Sequence, residues 1–106
     1  MAEREDLTAV VAMPGEIDVM NAEEVTERLT VACKPGMIVV ADMTATTFCD
    51  TRGTQELLAA HYRIGQMGCE LRLAVRYAHM LRMWELMGAD KVLAIYPSVM
   101  AATAAR

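Results

Sequence analysis

The sequence predicts an α/β domain in which a mixed, mostly parallel β-sheet packs with about four helices. Short apolar segments, either β-branched or alternating with polar residues, recur along the chain. Between them lie stretches whose apolar residues are spaced by three and four, which is the period of an amphipathic helix. Strands that alternate with helices over short connections form parallel pairs through right-handed crossovers. The expected order is therefore β, α, β, α, β, α, β, α.

Four segments have the composition of strands. Residues 7–13 are rich in Val and Ala and end at a Pro-Gly turn. Residues 37–41 are continuously apolar, as expected of a strand covered on both faces of a parallel sheet. Residues 69–75 alternate Leu and Val with Glu and Arg, and residues 92–96 form a short apolar run. These four segments are predicted to form the sheet.

Four segments follow the helical period. The first covers residues 21–33, with Asn21 as the expected N-cap. The second begins after Asp50 and ends near two glycines, Gly65 and Gly68. The third covers residues 77–87, with Met80, Leu81, Trp84 and Met87 as its apolar stripe, and the last covers residues 98–105.

Length and charge limit the classes of function. A chain of 106 residues with 55% apolar residues is expected to form a single domain over residues 1–106, with its core at about 7–105. Fourteen acidic and ten scattered basic side chains give a net charge of −4, which disfavours nucleic acid as a partner. No apolar stretch reaches the roughly 20 residues that span a bilayer. We therefore expect a cytoplasmic protein with no membrane partner.

Cysteine and histidine indicate no metal or cofactor. The three cysteines, Cys33, Cys49 and Cys69, are odd in number and lack the close spacing of a zinc or redox motif. We expect reduced and mostly buried thiols. His61 and His79 have no further ligand at metal spacing, so each is interpreted as a structural or surface residue.

Polar residues occur where the predicted strands lead into helices, which is the usual ligand-binding side of a parallel α/β domain. Asp18, Asp42 and Asp50 lie in such loops, and Thr51 begins the second helix. A hydroxyl at a helix N-terminus meets free amides and the positive end of the helix dipole, which favours an attached phosphate. The alternative is that Asp50 or Thr51 is only an N-cap.

Four segments together resemble STAS domains, and most closely the single-domain anti-sigma factor antagonists of bacterial partner-switching systems. They are residues 14–18 (Pro-Gly-Glu-Ile-Asp) followed by Asn-Ala at 21–22, residues 39–43 (Val-Val-Ala-Asp-Met), residues 48–53 (Phe-Cys-Asp-Thr-Arg-Gly) and residues 80–88. The most specific part is the pattern hydrophobe, any residue, Asp, Ser or Thr, any residue, Gly, placed between a strand and a helix. The resemblance covers about residues 7–105.

This resemblance implies a function that composition alone does not. Members of the family bind an anti-sigma factor that is also an ATP-using Ser/Thr kinase, and thereby release a sigma factor. The kinase phosphorylates the Ser or Thr after the motif Asp, and a phosphatase removes the phosphate. By this resemblance the protein is not an enzyme, and Thr51 is its phosphoacceptor. The partner-binding residues implied are Asp18, Asp42, Asp50, Arg52 and Gly53.

The chain departs from the family pattern at two positions. Arg52 stands where members usually have a small residue, and Thr54 stands where they have an aliphatic one. Arg52 has three interpretations: it pairs with a phosphate on Thr51, it changes recognition by the kinase, or it is a solvated residue of the first helical turn. Among the ten methionines, Met20 and Met83 are candidates for exposed contact. Met80 and Met87 are expected in the core.

Two other functions compete with this one. A STAS accessory or scaffold subunit, for example of a transport ATPase or a signalling complex, would use the same face without phosphorylation. A small enzyme using Cys49, Asp50 and Thr51 is disfavoured because the sequence offers no base beside a nucleophile. The Asp50 carboxylate is also expected to raise the pKa of the Cys49 thiol and make it less reactive.

Overall fold

A computed structural model describes residues 7–105. Its elements in chain order are β1 (Thr8–Ala12), β2 (Glu16–Ile17), α1 (Ala22–Val31), β3 (Ile38–Met43), β4 (Phe48–Cys49), α2 (Thr51–Gln66), β5 (Glu70–Val75), α3 (Ala78–Met87), a 3-10 turn (Ala89–Lys91), β6 (Ala94–Tyr96) and α4 (Val99–Ala104).

The main sheet has four strands in the order β1-β3-β5-β6. All three of its strand pairs are parallel, with Val10 opposite Val40 and Val40 opposite Arg72. Helices α1, α2 and α3 lie in the crossovers between strands, whereas α4 follows the last strand. The α/β class, the mostly parallel sheet and the four helices predicted from the sequence are confirmed.

A second, two-stranded sheet was not predicted. In it, β2 pairs with β4 in parallel, with Glu16 opposite Phe48 and Ile17 opposite Cys49. Ile17 and Cys49 are buried, whereas Phe48 is exposed. Two residues are too few to display an alternating pattern, so this small sheet has no signature in the sequence. It matters because Asp18 and Asp50 directly follow its two strands.

The two faces of the main sheet are covered unequally. Strand residues alternate in direction, so Val39 and Ala41 join the main core whereas Val40 belongs to a smaller cluster on the other face. Residues of α1, α2 and α3, such as Leu29, Leu57 and Trp84, belong to the main core. The smaller cluster is formed with residues of α4. The three longer helices therefore share one face, and α4 lies on the opposite one.

A buried arginine attaches α4 to the sheet. Arg72 of β5 is buried, and its Nη1 donates to the carbonyls of Ala102 at 2.7 Å and Ala105 at 2.8 Å. Its Nε donates to Glu70 at 2.9 Å. The guanidinium thus satisfies carbonyls at the C-terminal end of a six-residue helix that makes few hydrogen bonds of its own. Within residues 7–105, no helix has both the length and the apolar character that crossing a membrane requires.

The expectation of three reduced thiols is wrong for two of them. Cys33 and Cys69 form a disulfide; their Cα atoms are 6.4 Å apart and the two residues are 36 positions apart in sequence. The parallel topology brings the chain after α1 against the start of β5, where the Gly36 amide donates to the Gly68 carbonyl at 2.8 Å. Spacing along the chain carries no signal of this contact. Cys49 is free and buried, as expected.

Two smaller expectations also require correction. The Asn21 side chain does not cap α1, because its Nδ2 donates to the Glu16 carbonyl at 2.8 Å and its Oδ1 accepts from the Asp18 amide at 3.0 Å. It closes the loop between β2 and α1 instead. Met87 is 40% exposed rather than in the core, because α3 ends there and Ala89 of the following turn takes the buried position.

Candidate functional site

Asp50 joins β4 to α2 and caps the helix. Its backbone is extended, and its carboxylate accepts from the Gly53 amide at 2.7 Å. Its own amide donates to the carbonyl of Ile17 at 3.0 Å, which fixes the start of α2 to the end of β2. The interpretation of Asp50 as an N-cap is confirmed. This cap orients the first turn of the helix, where the phosphoacceptor is expected.

Thr51 is the first residue of α2 and is exposed. The helix has 16 residues, so a full macrodipole points its positive end at this position. The Asp50 carboxylate takes one of the free amides of the first turn. An exposed hydroxyl at such a position is accessible to another protein and suited to carry a phosphate.

Gly53 lies beneath this surface. It is buried, and a Cβ atom there would lie 2.8 Å from Cγ2 of Ile17, 2.9 Å from Sγ of Cys49 and 3.0 Å from the Ile17 carbonyl. Only glycine lets the first turn of α2 approach the β2–β4 sheet this closely. Its contribution to the site is therefore to position Asp50 and Thr51.

The structure brings Asp18 near Asp50 but separates Asp42 from them. Asp18 follows Ile17, whose carbonyl accepts the Asp50 amide, and its own carboxylate accepts from the Met20 amide at 2.9 Å. The expectation that Asp42 lies in a loop leading into a helix is wrong, because β3 continues through it to Met43. Asp42 has the same direction on β3 as Val40, so it lies on the sheet face opposite α1 and α2. Its carboxylate accepts from the amide and hydroxyl of Thr44 at 3.0 and 2.6 Å.

Arg52 of α2 forms ion pairs with one residue of α1 and one residue of α2. Its Nη2 lies 3.4 Å from Oε2 of Glu23 on α1 and 3.3 Å from Oε2 of Glu56, one turn further along α2. The other oxygen of Glu56 accepts from the Thr26 hydroxyl of α1 at 2.8 Å. Arg52 is 45% exposed in the first helical turn, and its side chain also makes these two ion pairs.

Thr54 is a structural residue of the site that the sequence did not identify as such. It is fully buried, donates its hydroxyl to the Asp50 carbonyl at 2.9 Å, and accepts from the indole Nε1 of Trp84 at 2.9 Å. This bond connects α3 to the N-terminal turn of α2. Two features of the sequence could have indicated this hydrogen bond. Thr54 is a polar residue where the motif usually has an aliphatic one, and Trp84, the only tryptophan of the sequence, carries a donor that needs an acceptor when it is buried.

Cys49 is adjacent to the site but is not suited to nucleophilic chemistry. The pKa of its thiol is raised from 9.0 to about 11, mainly because the thiol is buried; a hydrogen bond with Thr54 lowers the pKa and the Asp50 charge raises it, both by less than burial does. The direction expected from Asp50 is confirmed, although burial is the larger cause. A thiol that stays protonated at neutral pH is a weak nucleophile.

Exposed apolar side chains occur in the loop after Asp18 and on β4, which leads to the candidate phosphoacceptor. Val19 and Met20, in the loop between β2 and α1, are 66% and 87% exposed, and Phe48 of β4 is 49% exposed. Met20 is therefore available for contact, as expected, whereas Met83 is only half-buried. Exposed apolar side chains beside charged ones are typical of protein-binding surfaces.

Neither histidine makes a hydrogen bond with Asp50 or Thr51 among the described residues, although His79 contacts Thr47, the neighbour of Phe48. His61 is half-buried on α2, and its Nδ1 is buried without a hydrogen-bond partner among the described residues. His79 is exposed, with Nε2 2.6 Å from the Thr47 carbonyl. Among residues 7–105, no three side chains of the His, Cys, Asp and Glu types are arranged to hold a metal ion.

Solved structures with this fold include two bacterial regulators and one transporter. An anti-sigma factor antagonist from Mycobacterium paratuberculosis is 26% identical, with a TM-score of 0.78 over 92% of this chain and 83% of that one. A candidate anti-sigma factor antagonist from Thermotoga maritima is 17% identical, with a TM-score of 0.71 over 88% of this chain and 83% of that one.

The murine anion transporter Solute Carrier 26 family member A9 is 17% identical, with a TM-score of 0.74 over 91% of this chain and 17% of the transporter. No curated protein matches the sequence. The family model of the STAS domain matches residues 1–102. The match covers nearly the whole sequence, and therefore the chain belongs to the STAS domain family.

Proposed function

We propose that this STAS protein is an anti-sigma factor antagonist whose binding to an anti-sigma factor is switched by phosphorylation of Thr51. The observation that carries the proposal is the placement of an exposed Thr51 at the start of α2, directly after the Asp50 cap. A structural neighbour with 26% identity, described as an anti-sigma factor antagonist, supports the same function. The protein acts as a binding partner and kinase substrate in the cytoplasm, as one domain.

The switch requires one phosphoryl transfer in each direction. The Thr51 hydroxyl oxygen attacks the γ-phosphorus of ATP bound to the partner kinase, a new P–O bond forms, and the bond to the β-phosphate breaks to release ADP. The hydroxyl proton passes to a base of the kinase. In the reverse direction a phosphatase adds water to the phosphorus and releases inorganic phosphate, which restores the hydroxyl.

Phosphorylation would change the docking surface by charge. A phosphate adds about −1.5 to −2 charges at neutral pH. On Thr51 these charges would join Asp50 and Asp18 beside the exposed apolar loop that contains Met20. An interface formed by the neutral hydroxyl then has to bury a highly charged and hydrated group, which costs binding free energy. Phosphorylation is therefore expected to release the anti-sigma factor.

The partner-binding residues proposed from the family pattern divide by position. Asp18, Asp50 and Arg52 lie around Thr51 and are proposed to contact the partner directly. Gly53 acts through packing beneath them, since it is buried. Asp42 contacts the partner only if that protein reaches the other face of the main sheet. Alanine substitution of Asp18 should therefore weaken binding more than alanine substitution of Asp42.

The proposal is tested with the anti-sigma-type Ser/Thr kinases encoded in the genome of the same organism. With one of these kinases and ATP, the protein is expected to gain about 80 Da, located on Thr51. The T51A variant should bind the kinase and gain no mass, and T51E should lose binding. The control is T47A, because Thr47 is another exposed threonine near the site. A phosphate on Thr47, or T51A that is still modified, would contradict the proposal.

If no kinase phosphorylates Thr51, the alternative function as an accessory or scaffold subunit is favoured. In that case affinity purification of the tagged protein from its own cells would recover a transport ATPase or a scaffold complex, with no phosphate on the bait. If the purification instead recovers an anti-sigma factor with kinase activity, and this factor binds T51A more tightly than T51E, the protein is an anti-sigma factor antagonist.

A further inference from the structure

We propose that a phosphate on Thr51 draws Arg52 away from Glu23 and Glu56, so that phosphorylation also breaks the ionic link between α1 and α2. The inference rests on the proposed function for the presence of the phosphate. In this inference Arg52, which departs from the family pattern, forms an ion pair with the phosphate on Thr51 of the same chain.

The ion pairs that Arg52 makes with Glu23 and Glu56 are weak enough for another anion to replace the carboxylates. One nitrogen, Nη2, serves both carboxylates, at 3.4 Å from Glu23 and 3.3 Å from Glu56. Both distances exceed the roughly 2.7–2.9 Å of a strong charge-assisted hydrogen bond. The side chains of Arg52 and Glu23 are 45% and 82% exposed, so water and salt weaken their attraction, whereas Glu56 is only 19% exposed and its pair with Arg52 is less screened. A stronger anion nearby would displace them.

A phosphate on the preceding residue is such an anion. It carries more charge than a carboxylate, and its oxygens accept two parallel hydrogen bonds from a guanidinium. Neighbouring positions on a helix point in different directions, so the pair needs a long and mobile side chain. Arg52 meets this need, because its side chain is nearly half exposed and crosses from α2 to α1. The phosphate also moves the acceptor outward from the Thr51 hydroxyl.

The exchange would leave two carboxylates without their cation. Glu23 and Glu56 line a groove between α1 and α2 together with Thr26, Glu27 and Arg63. Glu56 keeps its hydrogen bond from Thr26, whereas Glu23 loses its ionic contact with α2. The phosphorylated protein would thus differ in two ways, by the phosphate on Thr51 and by a more negative groove beside it.

The test uses protein in which phosphothreonine is installed at position 51 during translation. The pKa of the second phosphate ionisation is measured by phosphorus NMR at low salt in the wild type, in R52Q and in R63Q. A nearby cation favours the dianion, so the phosphate pKa in the wild type should be about 0.5 lower than in R52Q. R63Q is the matched control, because Arg63 lines the same groove of α2 three turns away, and it should match the wild type.

A second measurement follows Arg52 itself. In the unphosphorylated protein, E23Q is expected to shift the Arg52 Nε–Hε NMR signal, and in the phosphorylated protein E23Q should leave it unchanged. Equal phosphate pKa values in the wild type and R52Q would overturn the inference. Because the phosphate is installed without a kinase, failure of the kinase to modify Thr51 would contradict the proposed function alone, and equal pKa values would contradict this inference alone.

Discussion

The indole Nε1 of Trp84 donates a hydrogen bond to the hydroxyl of Thr54 at 2.9 Å, inside the protein and directly behind the candidate phosphoacceptor. The same hydroxyl donates to the carbonyl of Asp50 at 2.9 Å. One buried threonine therefore connects the cap of α2 to α3. Both polar groups are satisfied within the core, which removes the cost of burying them.

Substitution of Thr54 by Val should destabilise the protein although it keeps the shape of the side chain. The buried Trp84 indole would lose its acceptor, and an unsatisfied buried donor costs about 1–3 kcal/mol. T47V is the control, since Thr47 is exposed and surface changes usually stay within about 0.5 kcal/mol. Urea unfolding measures both. Equal stability of T54V and the wild type would show that the hydrogen bond is dispensable.

Substitution of Gly53 by Ala should destabilise the protein through a steric clash. The added methyl would meet Ile17 at 2.8 Å and Cys49 at 2.9 Å, and overpacking of a core typically costs about 1–3 kcal/mol. Gly65 on the same helix is the matched control, because a Cβ there meets nothing within 4 Å. G65A should be neutral or stabilising, since alanine favours a helix by up to about 1 kcal/mol. If G53A lost no more stability than G65A, the close packing of α2 on β2 would be contradicted.

Reduction of the disulfide between Cys33 and Cys69 should lower the melting temperature. The bond closes a loop across 36 positions, and such cross-links typically contribute about 2–4 kcal/mol. Calorimetry with and without a reductant measures the loss, and a C33S/C69S double variant should be insensitive to the reductant. The control is C49S, which should respond like the wild type because Cys49 is free. A wild type that is equally stable in both conditions would refute the stabilising role of the bond.

The free thiol of Cys49 should make stability fall at alkaline pH. Its pKa is raised to about 11 in the folded protein against 9.0 without burial, so above pH 9 the unfolded chain loses its proton first. The unfolded state is then favoured, and the contribution is fully present below pH 9 and lost as pH approaches 11. From pH 8 to pH 10 the wild type should lose about 1 kcal/mol more than C49A. Parallel pH profiles of the two proteins would contradict the burial of this thiol.

Periodicity was sufficient to predict the longer strands and helices of the main fold, and the short β6 was found because it lies in the apolar run at 92–96. The segment at 37–41 and the helix after Asp50 are examples. The β2–β4 pair was missed since two residues display no period, and the disulfide was missed since it joins segments far apart in sequence. Part of the site was predictable from a motif, namely Asp50 as the cap of α2.

Other features of the site depend on tertiary contacts. The motif flagged Arg52 and Thr54 as unusual, but their partners Glu23 and Trp84 come from other helices. Asp42 was grouped with Asp18 and Asp50 as a loop residue that binds the partner, yet it lies within β3, where the alternation of side chains along the strand places it on the opposite face of the sheet. The pattern of residues along the sequence therefore did not predict the strand register or the packing of the helices, and these determine the partners of Arg52 and Thr54.

The central claim concerns the modification of Thr51, and phosphosite mapping of the protein isolated from its own cells tests it most directly. Intact mass is measured first, and tandem mass spectrometry then locates any phosphate. We predict two populations that differ by about 80 Da, with the phosphate on Thr51 and their ratio changing between growth conditions. A single unmodified population in every condition, or a phosphate on another residue, would contradict the proposed switch.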